Sequence, residues 1–352
     1  MSMALIRSLT IHVKPVGSVK DFKDLVYEKL DVIKKLVREL GLNVWSYRIV
    51  LPPELPSEYQ LRLTQELCRD DVLLASYHID ASEVKPEDII SVLTSCERSY
   101  ITIRLPTTDL IDSITNLYSK LIKSIDINDF TRLGISIPDY IVTPYFPLAT
   151  TYDEGISVAL RYVDLFYTYV RGDEEPLIKY ILNTSKLVSG LAGRVGMKFL
   201  GIDYSLSPWL SESVVSIIEY LSGIKFAYPG SGYAVKKLNE LIGNVSNTLG
   251  ISNVGFNEVM LPVAEDDLLK ERVAEGSVTL RDLTYLCSYC LVGVDMVVLK
   301  DDVGLIKGVV KDVLTSSIIK GRVIGVRLIP VNASEGSEVL LKRFGKVPVV
   351  KV

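Results

Sequence analysis

Histidine and glutamine occur only twice each in this 352-residue sequence, and cysteine only four times. Four cysteines (Cys68, Cys96, Cys287 and Cys290) are too few for a disulfide framework, so a reducing, cytoplasmic setting is the expectation. Cys287 and Cys290 have the CxxC spacing, but neither the other cysteines nor the histidines form a close second ligand pair, which argues against a zinc knuckle. No metal ligand set is assigned. Long apolar runs are also missing, since no window approaches the 18 residues of a membrane span. The opening MSMALIRSLTIHV has neither the apolar stretch nor the cleavage site of a signal peptide. Basic runs with interleaved aromatics are absent and the net charge is -4, so a nucleic-acid partner is not expected. Sparse amides alongside plentiful Tyr, Ile, Val, Lys and Glu fit a thermophile's protein.

What is present is an ordinary globular composition, 48% apolar and 23% charged, long enough to bury a sizeable core. The charge is uneven. Residues 1–50 and residues 301–352 each carry nine Lys/Arg against five Asp/Glu, leaving both ends at +4 and the middle at -12. Two basic ends could share one positive face, although scattered solvated charge is the plainer reading.

Residues 5–13 are β-rich. Ser18 and Asp21 then form a capping-box pattern, and an apolar stripe from Phe22 to Leu40 repeats every 3.6 residues until Gly41 ends the helix. Residues 44–51 read as the next strand, stopped by Pro52-Pro53. This is a βαβ unit, whose strands are normally parallel. Further strands are expected at 72–79, 100–105 and near 155–162, 197–203, 292–299 and 322–331. Helices are expected at 57–68, 86–96, 108–125 and near 174–193, 211–222, 232–248, 264–275 and 303–318. That alternation, without a linker or low-complexity tract, predicts one α/β domain over 1–352 with a mostly parallel sheet.

Several constellations could carry chemistry. Gly230, Ser231 and Gly232 precede a helix and read either as a turn capping it or as an anion cradle. Asp203 and Ser205 follow a strand, where α/β proteins place ligands, although an Asx-type turn would explain them equally. Glu265-Asp266-Asp267 suits the start of a helix better than a metal site. His12 and His78 each lie within a strand pattern and read as structural.

The C-terminal half resembles an uncharacterised family, domain of unknown function 711. The segments that carry the resemblance are Val195–Pro208, Leu261–Asp266, Cys290–Met296 and Val326–Pro330 with the Pro348–Val352 close; Ile6–Thr10 also fits. The resemblance implies a ten-stranded barrel-like α/β fold, similar to that of pyruvate formate-lyase and anaerobic ribonucleotide reductase. In those enzymes a cysteine-bearing loop threads the barrel. Cys290 aligns with the family's cysteine, and Asp203, Ser205, Gly230, Ser231, Asp295 and Arg327 match motif positions. Where family members have Cys-Ser-Ser this chain runs from Ile141 to Pro147, which includes Tyr145. It also has no glycyl-radical sequence near its end.

The resulting expectation is a protein acting on a small anionic metabolite in the barrel interior. Cys290 would be the thiol centre, Asp203 an acid/base, and Gly230, Ser231, Ser205, Asp295, Arg327 and Tyr145 ligand contacts. The alternative is a non-catalytic binder on the same barrel. No cofactor is specified, and the family resemblance suggests a homo-oligomer.

Overall fold

The computed structural model describes residues 4–352. In the first half, strands β1 (Leu5–His12), β2 (Tyr47–Val50), β3 (Leu73–Asp80), β4 (Ser99–Arg104) and β5 (Leu133–Ile137) are joined through helices α1 (Val19–Glu39), α2 (Ser57–Glu66), α3 (Pro86–Ser95) and α4 (Ile111–Leu121). After the short strands β6 (Ile141–Val142) and β7 (Ala149–Thr150), the second half contributes β8 (Gly155–Arg161), β9 (Phe199–Asp203), β10 (Met260–Pro262), β11 (Val292–Lys300) and β12 (Ile324–Val331). Its helices are α5 (Val163–Val170), α6 (Glu175–Arg194), α7 (Val214–Ser222), α8 (Ser231–Leu249), α9 (Asp267–Ala274), α10 (Leu280–Leu286) and α11 (Val303–Lys320). A hairpin of β13 (Glu338–Leu341) and β14 (Gly345–Pro348) follows.

Ten strands form one sheet in the order β10-β11-β12-β5-β4-β3-β2-β1-β8-β9. Strands are parallel within each half and antiparallel only where the halves meet, at β12–β5 and β1–β8. The strand periods read from the sequence are therefore realised. Missing from that reading were β5, β6, β7, β10 and the hairpin, whose apolar runs are short or interrupted by glycine and charge. At the two ends of the sheet, β9 and β10 share no continuous ladder among the described residues. Single parallel bridges link Ile202 to Asn253 and Leu206 to Val259, and Met260 N donates to Leu206 O at 3.0 Å.

The helix signals act as their chemistry requires. Ser18 Oγ accepts from Asp21 N at 3.2 Å at the start of α1, and the stripe through Phe22, Val26, Leu30 and Ile33 is buried. Strand alternation gives the sheet two different faces. Ile49, Leu74, Ile101 and Ile103 join the helices in the main core, while Val50 and Ala75 belong to a separate apolar cluster with Phe146 and Ala149.

That second face is covered by the chain itself. The segment from Thr143 to Ala149 crosses it, held by polar groups from distant strands. Arg48 Nη1 and Ser8 Oγ donate to Pro144 O (3.0 and 3.4 Å), and Thr102 Oγ1 donates to Pro147 O (2.7 Å). On the other side the Tyr145 hydroxyl donates to Ser205 O (3.2 Å) and Thr143 Oγ1 to Asp203 Oδ2 (2.8 Å). Close approach requires glycine beneath the segment: a Cβ on Gly134 would lie 2.6 Å from Pro147, and one on Gly325 would overlap Leu148.

Two of the four cysteines pair. Cys68 and Cys96 form a disulfide with Cα atoms 5.8 Å apart, joining the chain just after α2 to the end of α3 across 28 residues. Their spacing held no hint of it, because the pairing depends on α2 and α3 lying side by side. Closing a loop of this length removes denatured-state freedom, so Cys68→Ala should cost about 3 kcal/mol in urea unfolding. A loss below about 1 kcal/mol would contradict this account. Among the described residues no helix is long and apolar enough to cross a membrane.

Candidate functional site

A cavity of about 620 Å³ opens where the N-terminal ends of β2–β4 meet residues of the second half. Arg48, Leu73 and Tyr100 line it from β2, β3 and β4, Arg7 from β1, and Asp295 and Arg327 from β11 and β12. Tyr145, Phe146 and Leu148 of the crossing segment form another wall, and Lys342, Arg343 and Phe344 of the C-terminal hairpin border it.

Its deep charges form a chain. Arg7 Nη2 meets Glu265 Oε2 at 2.5 Å, and Glu265 Oε1 accepts from Arg327 Nη2 at 3.1 Å. Arg327 also forks onto Asp295, with Nη2 2.8 Å from Oδ2 and Nε bonded to Oδ1. All four side chains are buried. Burial opposes the charge on Arg327, but Asp295 and Glu265 outweigh it and hold the guanidinium firmly protonated. Burial pushes the Asp295 carboxyl up, and Arg327 opposes that shift. Arg7 is further enclosed by aromatic rings: its Cζ lies 5.4 Å from the Trp45 centroid, 5.6 Å from Trp209 and 5.9 Å from Tyr145, and Nη1 donates to Pro208 O at 2.9 Å.

Arg48 is different. It is only 9% exposed, yet no carboxylate pairs with it among the described residues. Its Nε donates to Ser46 Oγ (3.1 Å) and Nη1 to Pro144 O (3.0 Å), and its Cζ sits 4.9 Å from the Phe146 ring centroid. Burial, with the nearby Arg7 charge, pulls its pKa down to about 10. A buried cation without an anion is costly, and such sites are characteristically completed by a ligand.

Of the residues singled out from sequence, Asp295, Arg327 and Tyr145 line this cavity; Asp203, Ser205, Gly230, Ser231 and Cys290 do not. Asp203 is fully buried behind the crossing segment and accepts five hydrogen bonds. They come from Ser205 N and Oγ (3.0 and 2.6 Å), Thr143 Oγ1 (2.8 Å), Phe256 N (3.0 Å) and Asn257 N (3.1 Å). Burial pushes its carboxyl up, while those donors favour the ionised form. A Cβ on Gly255 (φ +91°) would overlap its Oδ2, so glycine is required for this tie.

Gly230 (φ 115°) caps α8, and Ser231 behind it is buried with no hydrogen bond to its Oγ among the described residues. Cys290 follows α10, fully buried, its Sγ 3.3 Å from Leu286 O, and burial pushes its thiol up. Cys287 is buried too, its thiol raised to about 12 by the same cause. An activated thiolate needs the opposite surroundings, namely exposure and nearby positive charge. The acidic run divides: Asp266 caps α9 through Leu268 N and Leu269 N, both at 3.1 Å, while Glu265 turns to the arginines. Among the described residues no three His, Cys, Asp or Glu side chains converge as a metal site.

Arg7, Arg48 and Glu265 were missed as ligand-facing residues. The sequence did carry one signal for them, the basic excess at each end: Arg7 and Arg48 from the first fifty residues meet Arg327, Lys342 and Arg343 from the last fifty-two in this cavity.

Fold and site together define a mixed α/β protein with an arginine-lined interior cavity. Residues 177–341, a little under half of the chain, match the model of a family described as Uncharacterised ACR (DUF711). The UPF0210 protein of Sulfurisphaera tokodaii is 32% identical over 167 residues, 46% of this chain and 38% of that protein. The UPF0210 protein of Methanopyrus kandleri is 32% identical over 168 residues, 46% of this chain and 37% of that protein. The UPF0210 protein of Pyrobaculum arsenaticum is 28% identical over 166 residues, again 46% and 37%. The chain thus spans well under half the length of these relatives. Glu265, Asp295 and Arg327 fall within the matched stretch, whereas Arg7, Arg48 and Tyr145 lie outside it.

Proposed function

We propose that this protein binds a small anionic metabolite in the arginine-lined cavity, with Arg48 as the principal anion contact and Arg7, Arg327 and Tyr145 as its supporting wall. The single observation that carries this reading is a buried guanidinium facing a cavity with no acidic partner. The cavity's size and its aromatic walls suit a metabolite, and its charged lining supplies polar contacts. In this reading Asp295 and Glu265 hold the arginines, Asp203 anchors the crossing segment, and Cys290 belongs to the packing.

The same reading takes the ten-stranded sheet as one barrel-like domain, similar in plan to the glycyl-radical enzymes. Supporting it are the two parallel halves joined antiparallel, the bridges between the ends of the sheet, and an inner face covered by a single threaded segment.

The test exploits the cost of an unpaired buried charge. Replacing such a group by an apolar one of similar volume is often neutral or stabilising. Arg48→Met should therefore leave the ligand-free protein as stable as the parent or up to about 1 kcal/mol more stable in urea, while abolishing any anion-induced rise in Tm. A destabilisation above about 2 kcal/mol, with anion response retained, would refute the binding role.

A further inference from the structure

Resting on the anion-binding reading above, the charges of the cavity wall narrow the ligand's class. Arg7 and Arg327 are already answered by Glu265 and Asp295, at 2.5 Å for Arg7–Glu265, 3.1 Å for Arg327–Glu265, and in a fork for Arg327–Asp295. Two guanidiniums and two carboxylates cancel. Arg48 remains, with Nε and Nη1 engaged by Ser46 and Pro144 and with no hydrogen bond to Nη2 among the described residues. Of the three deep arginines, Arg48 alone therefore keeps an uncancelled charge and a free amino group; further charges of both signs, Arg98, Lys342 and Arg343 with Asp70, Asp71 and Glu97, line the rest of the cavity.

A single negative charge completes that balance. A second would find no unpaired guanidinium among Arg7, Arg48 and Arg327 to meet it. A phosphate group carries about -1.5 to -2 at neutral pH and three strong acceptor oxygens. Arg7 and Arg327 are already occupied, so the missing donors would have to come from Arg98, Lys342 or Arg343 elsewhere in the lining. A carboxylate brings one charge and two oxygens, within reach of one guanidinium.

Next to Arg48 the surface is apolar. The Phe146 ring packs on its guanidinium at 4.9 Å, and Tyr100 stands edge-on to Phe146 with centroids 5.1 Å apart. Leu73 packs against the same cluster, and Leu148 continues the wall. We propose that the cavity takes a small organic monocarboxylate, its carboxylate on Arg48 Nη2 and its uncharged apolar body along Tyr100, Phe146 and Leu148.

Titration calorimetry on the full chain, with acetate, hexanoate, adipate, hexyl phosphate, hexanol and inorganic phosphate as probes, tests this directly. Hexanoate should bind at least tenfold more tightly than acetate, adipate, hexyl phosphate, hexanol and inorganic phosphate. Arg48→Met should weaken hexanoate at least tenfold, and Tyr100→Ser should reduce its advantage over acetate. The Tyr100 variant keeps the test informative should the Arg48 variant fold poorly. Adipate or either phosphate binding as tightly as hexanoate, with Arg48→Met abolishing it, would overturn the monocarboxylate while leaving the anion site standing. Hexanol matching hexanoate, or no probe binding the parent chain, would overturn both.

Discussion

Asp203→Ala is expected to unfold more readily than the parent by at least about 4 kcal/mol, because it strands several buried donors at once, each costing about 1–3 kcal/mol when left unpaired. The carboxylate collects Ser205, Thr143, Phe256 and Asn257 within 2.6–3.1 Å and admits no water. These donors belong to three separate pieces of chain: the end of β9, the crossing segment, and the loop before β10. Removing the acceptor therefore loosens the segment that forms one wall of the cavity. Asp203→Asn keeps the volume and one acceptor oxygen but turns an NH₂ towards donors, so it should recover only part of the loss. Urea unfolding of both variants checks this. A cost under about 1 kcal/mol for Asp203→Ala would show that Asp203 is not a structural anchor. The general acid/base role considered for Asp203 would then regain interest.

This residue also marks how far the sequence could be read. Its position at the end of a strand drew attention correctly, but strand ends supply both ligand contacts and chain ties, and periodicity does not separate them. What separates them is which segment packs above, and that is decided by the stretch from Thr143 to Ala149 crossing strands remote in sequence. The same crossing explains why β5 escaped notice: Gly134 breaks its apolar run because Pro147 and Leu148 press on that face. Long elements such as α1 and α6 were legible because one apolar stripe meets one core. Arg7 and Arg48 were not, because each sits in a strand whose pattern looks ordinary, and Arg327 was reached only through the family resemblance. Only assembly of the two halves shows that Arg7 and Arg327 are partnered through Glu265 and that Arg48 is not.

A steep loss of stability on mild acidification is the second large effect expected. His12 and His78 are fully buried, and burial holds their pKa values down at about 3 and about 4. His12 Nε2 lies 2.7 Å from Ser157 Oγ and His78 Nε2 lies 3.2 Å from Ala75 O, and neither histidine has a carboxylate partner among the described residues. An unfolded histidine titrates near 6.5, so below that pH the unfolded chain binds protons the folded chain refuses. Stability from these groups is thus fully present above about pH 7 and falls as pH drops through 6.5 towards their folded values. Two such groups give a loss on the order of 4 kcal/mol between pH 8 and pH 5. The buried carboxyls Asp203, Asp266, Asp295 and Glu258 are raised by burial and oppose this trend. Between their unfolded pKa near 4 and their raised folded values these carboxyls add stability as the pH falls, so they subtract from the histidine slope, and the histidine variants isolate the imidazole share. Urea midpoints at pH 8, 6.5 and 5 measure the slope, and His12→Gln or His78→Gln should each remove about half of it. Variants with the same slope as the parent between pH 8 and 5 would mean that the imidazoles reach water when protonated, contrary to their burial.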